Sequence, residues 1–161
     1  MASAAIYDAC VSYLESATVT IVNAEQTGLL VTGSVTTSRE PRGPSRVQSP
    51  FPVSVEIVPV GPWASRAVGI GIEEVDLVFD LKIEVRKKAV SSGRSQLDVL
   101  EDAARALVRA WRNVSTLSIS PSSATFRRSN ASLVTLDETP DTIETARAVV
   151  RVTLTFTEAQ A

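Results

Sequence analysis

The chain has 161 residues, of which 44% are apolar and 21% charged, and its formal net charge is −2. This length suits a single domain whose core needs no disulfide or metal. The slight acidity disfavours free nucleic acid as the main ligand, because that binding depends on many Lys and Arg residues. No apolar run reaches the ~20 residues of a membrane span, and the first residues lack a signal-peptide pattern. We therefore expect a cytoplasmic protein without a membrane anchor.

The residue counts also restrict the chemistry, because the chain contains no histidine and one cysteine. Histidine is the usual acid or base near neutral pH and the commonest metal ligand. Its absence removes Ser-His-Asp, Cys-His and His-metal sites. A single cysteine makes no internal disulfide, and Cys10 lies on the apolar stripe of a predicted helix, where it is interpreted as a small buried hydrophobe. We expect no metal site, and mechanisms based on carboxylate pairs or lysine stay open at this point.

The first third of the chain is predicted to contain one short helix and a hairpin. Apolar residues recur at helical spacing over 3–15, which predicts the helix. Two β-branched runs, 18–22 and 29–36, predict a pair of strands joined by a polar turn.

Residues 37–52 contain four prolines and one glycine, a composition that prevents a regular element. We predict a long exposed loop that carries Arg39, Arg42 and Arg46. Two interpretations stay open: a solvated loop, or a loop that binds an acidic partner or DNA through these arginines.

A strand is predicted over 53–60, and residues 75–86 give the clearest strand of the chain. Apolar residues alternate there with polar ones, which indicates a mostly antiparallel sheet covered on one side. Asp76 and Asp80 share the polar face, roughly 13–14 Å apart by strand rise. That separation is too large for a carboxylate dyad, so a solvated or inter-subunit face is the preferred interpretation.

The second half begins with a basic connection over 87–94 that includes Lys87 and Lys88. Ser95 then begins a helix of about 16 residues, because Ser95 and Asp98 have capping-box spacing. The apolar stripe of this helix is predicted to cover the sheet.

The last third is predicted to end on a strong strand over 148–157, where apolar and polar residues again alternate. Before it we predict a short strand over 114–119, a polar loop over 120–132 and an edge segment over 133–136. The predicted fold is α+β. It comprises a mostly antiparallel or mixed sheet with one long amphipathic helix packed on one face and a short N-terminal helix, in a single domain spanning 1–161.

The order of these elements suggests a family. A long strand, a basic turn and an amphipathic helix occupy Asp76–Trp111, and the closing strand Arg147–Phe156 has the pattern Arg-x-x-x-Arg-Val-x-Leu. This arrangement resembles the tail terminator or tail completion (neck) proteins of long-tailed bacteriophages, the lambda-type and related siphophage proteins. The resemblance implies a homohexameric ring in the virion, assembled in the host cytoplasm. It also implies contacts with the tail tube protein and with the head-tail connector or stopper, and it implies no catalytic residue and no cofactor. In such a ring the loop arginines could contact the DNA in the lumen non-specifically.

Other functions stay open at this stage. They are a head-completion or stopper protein, a minor baseplate ring protein, and a non-viral domain that binds a small ligand. An enzyme based on carboxylates or lysine is disfavoured, since the lysines lie in charged surroundings. The candidate interaction residues are Arg39, Arg42, Arg46, Asp76, Asp80, Lys87 and Lys88.

Overall fold

The computed structural model describes residues 4–37, 52–60, 64–86, 95–112, 114, 124–137 and 145–159. This part of the chain forms two helices and six strands. In chain order they are α1 (Ala4–Glu25), β1 (Val35–Thr37), β2 (Val53–Pro59), β3 (Ala64–Gly69), β4 (Ile72–Arg86), α2 (Gln96–Trp111), β5 (Ala124–Asp137) and β6 (Thr145–Ala159).

All six strands belong to one sheet, in the order β1-β2-β4-β6-β5, and β3 also pairs with β4. β1 runs parallel to β2, and every other pair is antiparallel. β2 pairs with the second half of β4 and β3 with its first half, so both lie along the same side of β4. The predicted α+β class with a mixed sheet is confirmed.

The longest pairing joins β4 to β6 without a break, from Ile72 opposite Ala159 to Arg86 opposite Thr145. Because side chains alternate along a strand, this register places the apolar residues of both strands on one face. The residues on that face are fully or almost fully buried, from Val75 to Val85 on β4 and from Ala148 to Phe156 on β6. The two strands predicted from their alternation are therefore confirmed.

Both helices contribute to the same apolar core as these strands. α2 begins after Ser95, whose side chain accepts the backbone N–H of Asp98 while the Asp98 carboxylate accepts that of Ser95. α2 contacts β4, β5 and β6, whereas α1 contacts α2, β1 and β2. At the end of α2 the Ser129 hydroxyl of β5 donates to the Trp111 carbonyl at 2.6 Å. This bond ties the helix end to an edge strand of the sheet.

The prediction of a short first helix and a following hairpin is wrong. α1 has 22 residues and includes the β-branched run 18–22. Thr18 and Val22 are fully buried, so tertiary packing overrides their strand propensity. Near the end of the helix, the Asn23 side chain bonds both the N–H and the C=O of Leu30, at 2.8 Å each. Of the second predicted strand, 29–36, only residues 35 and 36 belong to a strand, β1, which continues to Thr37.

Two other segments differ from the sequence predictions. Residues 124–132 were predicted to be part of a loop but belong to β5, which pairs with β6 and has register shifts at 126/128 and 133/135. The edge segment predicted over 133–136 lies within this strand. β3 was not predicted, because all six of its residues are exposed and show no alternation. Residues 115–119 of the predicted short strand lie outside the described residues, and Val114 belongs to no strand.

The capping box makes a testable contribution to stability. Ser95→Ala removes the side-chain acceptor for the Asp98 N–H and is expected to lower the free energy of unfolding by about 1 kcal/mol. Urea denaturation followed by circular dichroism measures the change. Ser12→Ala, at an exposed position of α1, is the control and is expected to change it by less than about 0.5 kcal/mol. Equal effects of the two substitutions would show that the box contributes nothing specific.

Candidate interaction surface

The face of the sheet opposite the core carries most of the charged residues of the strands. We call it the outer face. Carboxylates predominate on the central strand β4, and arginines lie on the strands around it. Its charged residues include Glu74, Asp76, Asp80, Lys82 and Glu84 of β4, Arg147 and Arg151 of β6, Arg66 of β3 and Arg128 of β5.

Two acid–arginine pairs cross from β4 to β6. Asp80 lies directly opposite Arg151 and accepts two bonds from it, Nε to Oδ1 at 2.9 Å and Nη2 to Oδ2 at 3.2 Å. This contact raises the pKa of the Arg151 guanidinium. Four residues along, Glu84 faces Arg147, with Nε and Oε1 3.3 Å apart. Opposite charges at directly paired positions stabilise the strand pairing.

A denser group, which we call the Glu74 cluster, lies nearer the start of β4. It consists of Arg66, Glu74, Asp76, Arg128 and Thr155. Arg128 Nη2 donates to Glu74 Oε1 at 2.9 Å, and Arg66 bonds the same oxygen. Hydrogen bonds from Arg128 and Arg66 lower the pKa of the Glu74 carboxyl. Asp76 accepts from Arg66 at 3.0 Å and from the Thr155 hydroxyl at 2.6 Å. The cluster thus contains groups from four strands.

An exposed apolar surface lies beside this cluster, where β3 turns into β4. We call residues 68–72 the hairpin tip. Val68, Ile70 and Ile72 are large exposed hydrophobic residues, and Ile70 is fully exposed. Gly71 adopts a φ of 71°, a left-handed conformation that glycine accepts without strain in a tight turn. Burying such side chains is worth roughly 1.5–3 kcal/mol each, so the tip is a candidate contact with another protein.

The structure places only part of the predicted interaction site. Asp76 and Asp80 lie on the outer face, as expected from the alternation, and each forms hydrogen bonds within the chain. Their contact with another copy stays a prediction. The remaining candidates lie outside the described residues: Arg39, Arg42, Arg46, Lys87 and Lys88.

Sequence reasoning missed the arginines that pair with these carboxylates. The signal was present as matched spacing. Asp80 and Glu84 are four residues apart on β4, and so are Arg147 and Arg151 on β6. Antiparallel pairing of the two strands satisfies both pairs in a single register. Arg66 and Arg128 gave no comparable signal, because neither β3 nor this part of β5 was predicted as a strand.

Several features of the described residues bear on catalysis and on metal binding. Cys10 is buried, and burial raises the pKa of its thiol to about 12, so the thiol stays protonated at neutral pH. Within the described ranges, no three His, Cys, Asp or Glu residues are grouped to hold a metal ion. Trp111 is 2% exposed and belongs to the core. In this part of the chain neither helix is long and apolar enough to cross a membrane.

Comparison with known proteins assigns no family. No protein-family model matches the chain, and no curated protein matches it. Function is therefore inferred from the fold, the outer face and the hairpin tip.

The Asp80–Arg151 pair is expected to contribute a measurable coupling energy. We predict about 0.5–1 kcal/mol from a double-mutant cycle of Asp80→Ala and Arg151→Ala, because the contact has two bonds between directly opposed residues. Urea denaturation of the four proteins measures it. A cycle on Glu84 and Arg147, which share one longer contact, is expected to give a smaller value. Additive effects at Asp80 and Arg151 would contradict a stabilising role for this pair.

Proposed function

We propose that this protein is the subunit of a homo-oligomeric ring, with six copies as the expected number, at the neck of a tailed bacteriophage. In this role the ring terminates the tail tube and joins it to the head connector. Its partners are further copies of itself, the tail tube protein and the connector or stopper, and its place is in the virion after assembly in the host cytoplasm. The order of a long strand, an amphipathic helix and a closing strand supports the proposal by its resemblance to neck proteins.

The exposed hairpin tip is the observation that carries the proposal. A solvated Ile70 flanked by Val68 and Ile72 is unfavourable in an isolated chain, because moving apolar surface out of water lowers the free energy. Because the tip lies at one end of the sheet and outside the apolar core, it is accessible to another subunit. The subunit of a ring needs such a surface for its contact with the next copy.

A second exposed apolar surface is the site where the hairpin tip of a neighbouring copy would bind. Leu133 and Val134 of the edge strand β5 are also exposed. Leu133 pairs with Val150, which pairs with Leu81, and Leu81 lies nine residues beyond Ile72. At a rise of about 3.3 Å per residue, the two surfaces are about 30 Å apart and do not meet within one chain. A contact between two different surfaces of successive copies is heterologous, and such contacts generate closed rings when the rotation allows.

The outer face has a different role in this proposal. Its carboxylates already accept hydrogen bonds from arginines and a threonine of the same chain. Such internally compensated charges keep the sheet soluble and correctly registered. The tail tube and connector are then expected to meet the rims of the ring, and the contact with lumen DNA is assigned to Arg39, Arg42 and Arg46.

Assembly of the purified protein tests the proposal. Native mass spectrometry over a concentration series, with negative-stain electron microscopy alone and with isolated phage tail tubes, is expected to show rings or caps on tube ends. Ile70→Asp places a charge at the tip and is expected to abolish the oligomer. The matched control is Val31→Asp, a half-exposed apolar position outside the tip, which is expected to assemble as the wild type does.

The outcomes separate the function from its proposed contact. Monomers at every concentration, together with bare tube ends, would contradict the neck-ring function. Rings that form equally well from the Ile70→Asp protein would retain the function and reject the hairpin tip as the contact between copies.

A further inference from the structure

We propose that the Glu74 cluster acts as a charge clamp that holds the hairpin tip in line with the sheet, so that neutralising Glu74 loosens the tip. The clamp belongs to the single chain and requires no partner. Its consequence for assembly, namely that acid or high salt weakens the docking contact, rests on the proposed function.

The geometry of Glu74 goes beyond an ordinary cross-strand pair. Arg66 comes from β3, the strand next to β4, and Arg128 comes from β5, which does not pair with β4. At this level of the sheet β6 lies between Glu74 and Arg128, so the Arg128 side chain reaches across a whole strand. One carboxylate thereby connects β3 with β5, the outermost described strands at this end of the sheet.

Few interactions besides this clamp hold β3. Among the described strands it pairs with β4 alone, through five residue pairs interrupted by a register shift between Ala67 and Gly69, and a side-chain hydrogen bond joins Ser65 to Glu73. All of its residues are exposed, and among the described residues none from β3 belongs to the apolar core. Segments with few buried contacts open at low free-energy cost. The bonds from Arg66 to Glu74 and Asp76 therefore add to the backbone pairing and the Ser65–Glu73 bond that keep β3 against β4.

The clamp is accessible to salt and protons. The Glu74 side chain is 13% exposed, whereas those of Arg66 and Arg128 are 47% and 57% exposed. The Debye length is about 8 Å at physiological salt and about 3 Å at 1 M, so exposed ion pairs of this short length are screened appreciably only near molar salt. High salt is therefore expected to loosen the tip, as loss of the Glu74 charge does, and to accelerate exchange of its amides.

The pH dependence follows from the groups that face Glu74. They are Arg66 from β3, Arg128 from β5, Thr155 and Thr157 from β6, and Asp76 on its own strand. A further charge from β5 lies beside them, since Arg127 donates to the Thr157 hydroxyl at 3.0 Å. Hydrogen bonds from Arg128 and Arg66 lower the pKa of Glu74 from its ordinary value of 4.5. The contribution of the clamp is therefore complete above pH 4.5 and is lost as the pH falls through the lowered value in the folded state.

Hydrogen–deuterium exchange of the isolated chain tests the clamp. Glu74→Gln keeps the shape of the side chain but removes its charge. At neutral pH we expect amides of residues 64–72 to exchange about three- to tenfold faster than in the wild type. Glu84→Gln is the matched control, because Glu84 lies on the same face of β4 but at the end of the strand away from the tip, between Ser54 and Arg147. It is expected to leave those amides within about twofold of the wild type.

Two further measurements sharpen the test. Arg128→Ala is expected to accelerate exchange of the same amides. In the Glu74→Gln background it is expected to cause little further acceleration, because both substitutions weaken the same Arg128–Glu74 contact. The ratio of exchange rates between Glu74→Gln and the wild type, compared at equal pH, is expected to fall towards one below pH 4.5. Unchanged exchange over residues 148–154 of β6 verifies that each variant is folded.

Hairpin amides that exchange at the wild-type rate in folded Glu74→Gln would overturn the clamp, and so would fully additive effects of Glu74→Gln and Arg128→Ala. These results are independent of ring formation. If the wild type never assembles but Glu74→Gln accelerates exchange of the hairpin amides, the neck-ring function is contradicted and the clamp is supported. If the wild type forms rings but Glu74→Gln leaves exchange of the hairpin amides unchanged, the clamp is rejected and the function is supported.

Discussion

The pairing of β4 with β6 determines how both faces of this protein are used. Because the two strands pair over their full length, one register sets the partners of every side chain on them. On one face it assembles the apolar core that α1 and α2 complete. On the other it sets Asp80 against Arg151 and Asp76 against Thr155. A slip of one residue would exchange the two faces, burying the charges and exposing the core, so the charge pairs and the core select the same register.

The same register determines which part of the sheet extends beyond the helices and the apolar core. The core lies where the strands β2, β4, β5 and β6 face the helices, and among the described residues it includes none from β3 or the β3–β4 turn. β3 is consequently an exposed strand, and it is attached through backbone pairing and through Arg66 of the Glu74 cluster. The hairpin tip at its end combines exposed apolar side chains with a nearby group of charges that hold its strand. This combination suits a contact that must form between subunits without aggregating beforehand.

Much of this architecture follows from sequence patterns, and the failures have physical causes. β4 and β6 were predictable because a sheet covered on one side leaves a period of two in the sequence, and α2 because Ser95 and Asp98 mark its start. α1 extends further than predicted because buried packing of Thr18 and Val22 outweighs their strand propensity. β3 left no periodic signal, since both of its faces are exposed. The Glu74 cluster was not predictable, because Arg128 reaches Glu74 only through the register of two strand pairs.

The proposed ring requires that the hairpin tip be buried between copies of the chain. Ile70→Cys provides a single reactive thiol for this purpose, because Cys10 is buried and its thiol pKa is raised to about 12. The measurement is the rate of maleimide labelling as the protein concentration increases. We expect fast labelling of the dilute monomer and at least tenfold slower labelling of the assembled protein, with Val31→Cys labelled equally in both states. Rapid labelling of Ile70→Cys within assembled rings would contradict the proposed contact.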